Sequence, residues 1–175
     1  MKPLLQVVFT GTLYSGKTTL AREVAQRLSL EAVLDFKPEY GPPGTRGFCD
    51  LMDEELESAL RRVCVVDRYW TDRLSFEHLF DHHPECVARL VPKMQEPIPA
   101  WRHIFFVEPE IDYQKDVERP DRDIYADKRL ELSFNIARLL SIFDIPHTVL
   151  TGVLEQRVVK VLNILELEGG AYASY

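Results

Sequence analysis

The chain has 175 residues, of which 46% are hydrophobic and 28% charged, enough for one domain with a buried core and ordinary for a globular protein. Its formal charge of −7 argues against tight nonspecific binding along a nucleic-acid backbone, which needs a basic surface, but leaves room for a local basic pocket that takes one small anion. Cys49, Cys64 and Cys86 are odd in number and offer no zinc spacing, so reduced thiols in a cytoplasmic protein are expected.

The opening MKPLLQVVF is too short for a signal peptide, and no later apolar run approaches a membrane span. LLQVVF (4–9) reads as a strand, KTTLAREVAQRLSL (17–30) as an amphipathic helix and EAVLDF (31–36) as a second strand. The segment 37–50 is rich in turn residues, with four Pro or Gly at 41–44. DEELESALRR (53–62) predicts a helix, VCVVD (63–67) a buried strand, and residues 70–92 a mostly helical stretch broken at Pro84. HIFFVE (103–108) is a strand, followed by a polar segment at 109–125 and a helix over 126–143. HTVLTG (147–152) and 153–168 give the last strand and helix, and GGAYASY a frayed tail at 169–175. Strands alternating with helices predict an α/β sandwich of three layers, with a five-stranded parallel sheet between helices. One domain spans 1–168.

The stretch FTGTLYSGKTTLAREVA (9–25) contains Gly11, Thr12, Leu13, Tyr14, Ser15, Gly16, Lys17 and Thr18 in the pattern G-x-x-x-x-G-K-[ST], followed by Thr19. The glycines let backbone amides turn inward around phosphate oxygens. The helix beginning at Lys17 adds free amides and partial positive charge. Lys17 should reach the β and γ phosphates of ATP, and the Thr18 hydroxyl should ligate Mg²⁺. The alternative is a glycine-rich turn that only joins a strand to a helix.

VCVVDRYWTDR (63–73) places Asp67 at the carboxyl end of a strand, where ligands of α/β proteins sit. Asp67 can hold Mg²⁺ through water or take a proton from an acceptor hydroxyl; otherwise it caps the next helix. Arg68 beside it can hold a phosphate or a carboxylate. Tyr40, Phe48, Tyr69 and Trp70 are candidates to stack on a base, or else core residues. Arg46 in GPPGTRG (41–47) can meet an anionic acceptor, unless that segment is a simple connection. Arg119, Arg122, Lys128 and Arg129 lie among Asp112, Asp116 and Asp121; they suit an arginine-bearing lid over the triphosphate, or a solvated loop. His82 and His83 beside Asp81 lack a third ligand at metal spacing, and Cys64 reads as inert packing.

These pieces resemble the P-loop kinase family that includes the ribosylnicotinamide kinase domain of the bacterial NAD-biosynthesis regulator, with its AAA-like relatives. The resemblance runs through 11–19, PEY (38–40), VVD (65–67) with Thr71, FFVEPEIDYQKDVER (105–119) and TG…LEQRVVKV (151–161). Val117 stands where that family usually has Gly, and Asp67-Arg68 is similar to the DR pair of thymidylate kinases. The resemblance implies phosphoryl transfer from ATP to a nucleoside- or nucleotide-like hydroxyl. It assigns Asp67 to the acceptor or to base catalysis, Glu39 and Asp116 to the acceptor site, and Arg119 and Arg122 to the lid. Rival readings are a deoxynucleoside monophosphate kinase, a kinase acting on a modified DNA base, and an ATP-hydrolysing switch with a protein partner. No membrane or long nucleic-acid partner is expected, and a homodimer stays open.

Overall fold

The computed structural model describes residues 5–34, 46–80, 84–110 and 126–172. Five strands, β1 (Gln6–Thr10), β2 (Ala32–Val33), β3 (Val65–Val66), β4 (Arg102–Val107) and β5 (Thr148–Leu150), form one sheet in the order β2-β3-β1-β4-β5. Every pairing is parallel, with Val7 opposite both Val65 and His103, and Phe105 opposite Thr148. Six helices connect and cover it: α1 (Lys17–Leu28), α2 (Arg46–Ala59), α3 (Trp70–Phe80), α4 (Pro84–Met94), α5 (Arg129–Ile142) and α6 (Leu154–Tyr172). This is the expected α/β architecture.

Strand parity builds two cores from one sheet. Val8, Val66, Ile104 and Phe106 face one side, packing with Leu74 of α3, Leu90 of α4 and Ile136 of α5. Val7, Phe9, Val65, Phe105 and Val107 face the other, against Leu20 and Val24 of α1 and Val158 and Val161 of α6. All five residues of β1 are buried, which is why the strand reads as a continuous apolar run rather than an alternating one.

Some boundaries differ from the sequence expectation. α2 starts at Arg46 rather than 53, because Cys49 and Met52 pack with Cys86 of α4 and tertiary burial overrides a local turn signal. α6 continues through Gly169 and Gly170 to Tyr172. Pro84 opens α4, where its fixed φ and missing amide suit a first helical position. Among the described residues, no helix is long and apolar enough to cross a membrane. All three cysteines are free and buried.

Candidate active site

The loop between β1 and α1 joins the sheet's carboxyl edge to a helix start. A Cβ at Gly11 would lie 2.6 Å from the Val107 carbonyl oxygen, so only glycine allows the loop to leave β1 so close to β4. Gly16, the N-cap of α1, has φ 85° and makes no side-chain capping bond. Tyr14 is also left-handed, at φ 57°, a costly conformation that persists where surrounding structure fixes it. No acidic residue belongs to the first turn of α1 itself, and the amino-terminal amides and dipole of such a turn favour an anion.

Lys17 is 6% exposed. Its Nζ donates to the Thr12 carbonyl at 2.7 Å and stands 4.0 Å from Asp72 Oδ1. Ser15 Oγ also donates to the Thr12 carbonyl, at 2.9 Å. Asp67 is 1% exposed and follows β3 directly, its amide donating to the Val33 carbonyl. The Thr18 hydroxyl donates to Asp67 Oδ2 at 2.5 Å. Two hard oxygen ligands therefore meet beside the loop, a donor set suited to Mg²⁺. Among the described residues no three His, Cys, Asp or Glu side chains gather into a metal cage; Mg²⁺ shared with phosphates needs none.

Asp72, in the first turn of α3, is a site residue that sequence reasoning missed. Its carboxylate accepts from the Thr10 hydroxyl, the Gly11 amide at 3.0 Å and the Tyr69 amide at 3.0 Å. Thr10 and Thr71 hydroxyls meet at 2.8 Å. Asp72 thus fastens the start of the loop to α3 and sets a negative charge near Lys17. Arg157 of α6 is also new: it donates to the Ser15 carbonyl at 2.7 Å and the Glu108 carbonyl at 3.0 Å.

Arg68 is half-buried and lines a small recess with Gly11, Thr12, Leu13, Asp72 and Phe76. Tyr69 does not reach a base-stacking position. It is 1% exposed and sits in the core with Trp70, and burial pushes its phenol pKa up. α3 begins at Trp70, and Tyr69, Trp70 and Leu74 pack together in the core against the sheet. Arg129 is buried and donates to the Pro109 carbonyl at 2.6 Å, while Lys128 pairs with Glu131 at 3.0 Å. Glu39, Asp116, Arg119 and Arg122, with the Arg46 side chain, lie outside the described residues.

No family model matches this chain, and no curated protein matches it in sequence. Its fold is similar to solved structures of P-loop kinases. The Bacillus subtilis YorR protein, in complex with phosphorylated GDP, is 12% identical with a TM-score of 0.62, covering 93% of this chain and 96% of that one. A deoxyadenosine kinase from M. mycoides, with dCMP and dCDP bound, is 11% identical with a TM-score of 0.61, covering 93% and 98%. A shikimate kinase from Acinetobacter baumannii, in complex with shikimate, is 17% identical with a TM-score of 0.52, covering 94% of each. The chain shares the fold of these structures: a five-stranded parallel sheet flanked by helices, with its G-x-x-x-x-G-K-T loop at the carboxyl edge of β1.

Proposed function

We propose that this chain is a cytoplasmic kinase moving the terminal phosphoryl group of ATP to a hydroxyl of a nucleoside- or nucleotide-type small molecule. The carrying observation is the Thr18–Asp67 hydrogen bond at 2.5 Å, which brings a helix-start hydroxyl and a strand-end carboxylate together beside Lys17. A loop that only joined a strand to a helix would not need that constellation. YorR and the M. mycoides kinase both hold nucleotides, which supports the acceptor class.

In this reading the loop amides and the first turn of α1 bind the β and γ phosphates. Lys17 exchanges the Thr12 carbonyl for phosphate oxygens and neutralises charge on the moving group. Thr18 and Asp67 would hold Mg²⁺, which supplies further neutralisation of phosphate charge when bound. Asp67 would also orient the acceptor hydroxyl or take its proton. Arg119 and Arg122 are assigned to a lid that excludes water, with Glu39 and Asp116 on the acceptor side.

A nucleoside monophosphate is the second reading for the acceptor, favoured by Arg68 in the recess beside the loop. Guanidinium groups recognise phosphate in bidentate fashion.

The test is a screen of nucleosides, nucleoside monophosphates, ribosylnicotinamide and shikimate with γ-labelled ATP, scoring the labelled product. A labelled nucleoside monophosphate supports the first reading and a labelled diphosphate the second. Labelled inorganic phosphate with no acceptor product would overturn both in favour of a switch.

A further inference from the structure

We infer that Arg157 is a positioning residue for phosphate binding: it pins the Ser15 carbonyl so that the Gly16 amide faces the bound anion, and it sets a fixed positive charge beneath the loop. The inference rests on the reading that residues 11–18 hold a nucleotide.

Arg157 lies in the first turn of α6 and is 1% exposed. A buried guanidinium is costly unless it is paired and hydrogen-bonded. Here Nη1 donates to the Ser15 carbonyl at 2.7 Å and Nη2 to the Glu108 carbonyl at 3.0 Å. The nearby carboxylate is Glu110, 3.6 Å from Nη2, whose side chain is 41% exposed and which also accepts from the Gly152 amide. Arg157 Nε has no hydrogen-bond partner among the described residues. Among the described residues, two neutral carbonyls and one half-exposed carboxylate face this buried charge. A phosphate in the loop would add an anion to that set.

The direction of the effect follows from the peptide itself. The Ser15–Gly16 bond is trans, so its carbonyl and amide point opposite ways. Holding the carbonyl toward α6 turns the Gly16 amide away from α6, toward the mouth of the loop. The φ of 85° at Gly16 belongs to a conformation that glycine adopts without penalty, so the hydrogen bond to the Ser15 carbonyl selects one of several orientations open to this peptide. Arg157 thus links the β1–α1 loop to the end of β4, and the adjacent Glu110 extends that link to the turn after β5. A Lys could keep the charge but could not span both carbonyls with a planar fork.

The experiment titrates MgADP into wild type, Lys17→Ala, Arg157→Lys and Arg157→Met by calorimetry. Thermal melting reports the folded fraction, and the Gly16 amide is followed by NMR. Per folded molecule, Arg157→Met should weaken MgADP binding at least tenfold and abolish the ADP-induced shift of the Gly16 amide. Arg157→Lys should recover part of the affinity and less of the shift. Should Arg157→Met not fold, Arg157→Lys carries the test with an expected loss of threefold or more. If the Arg157 variants melt earlier but bind MgADP within twofold of wild type with the Gly16 shift intact, Arg157 is only a strut and the inference falls. If wild type itself binds no MgADP, the nucleotide reading fails instead, a result distinct from failure at Arg157.

Discussion

Lys17 already holds its charge inside the loop, against the Thr12 carbonyl and 4.0 Å from Asp72. Replacing it with Ala should lower the rate of phosphoryl transfer by roughly a hundredfold or more with little change in melting temperature; unchanged transfer by a folded Lys17→Ala protein would remove the loop from the chemistry. Asp67→Asn should lower kcat far more than ATP affinity, whereas a loss of affinity with kcat preserved would remove Asp67 from the acceptor hydroxyl and leave it with the metal or the framework alone. Asp72 accepts three donors, two of them main-chain amides. Asp72→Asn puts an NH₂ group among donors and should cost about 1–3 kcal/mol of stability, read by urea denaturation; an unchanged midpoint would mean the loop is not fastened through Asp72. The loop and Asp67 were legible because their meaning lies in adjacency: glycines, lysine and hydroxyl in one motif, and an acid closing an apolar run. Asp72 and Arg157 were not, because their partners are 61 and 142 residues away and no local spacing encodes those contacts.

Helices α2, α3 and α4 are joined by charge rather than by apolar packing alone. Arg73 of α3 bonds Asp53 of α2 at 2.7 Å and Glu77 at 2.9 Å, and Arg89 of α4 reaches Asp50 and Asp53, each at 2.7 Å. Arg73 is 2% exposed, and the carboxylates around it hold its guanidinium protonated against the desolvation of burial. Removing one partner of a buried pair leaves an uncompensated charge. Asp53→Ala leaves Glu77 beside Arg73 and should destabilise the fold by about 1–3 kcal/mol, whereas breaking the exposed Arg61–Glu57 pair should change stability by well under 1 kcal/mol. Equal effects in chemical denaturation would refute the distinction. This network also explains why the start of α2 escaped the sequence. Gly47 and the preceding Pro-Gly run signal a turn, yet Cys49, Asp50 and Asp53 are held by partners on α3 and α4. The strong periodicities of α1 and α6, by contrast, were readable because each presents one apolar stripe to the sheet.

The strand order β2-β3-β1-β4-β5 brings Gly11, Asp67, Glu108 and Gly152 to one edge of the sheet, although they are far apart in sequence. Alternation of strands and helices made the class of fold legible; the order of the strands was not, since it depends on which apolar faces meet. Burial of titratable groups also gives the molecule an alkaline limit. Burial pushes the Cys49 thiol up from 9.0 to about 12 and raises those of Cys64 and Cys86, as it raises the Tyr69 phenol. The unfolded chain releases these protons first, so it binds fewer of them and stability falls as pH rises. The contribution is intact below about pH 9 and declines above it; melting temperatures between pH 8 and 11 should show that fall, and a flat profile would contradict it. Kinase chemistry at this edge of the sheet requires that the main-chain amides of Gly16, Lys17 and Thr18 bind phosphate. A crystal structure of the chain grown with ADP and magnesium should show the β-phosphate within hydrogen-bonding distance of those amides, with the metal between it and the Thr18 hydroxyl. Nucleotide bound elsewhere, with the amides turned from any anion, would contradict it.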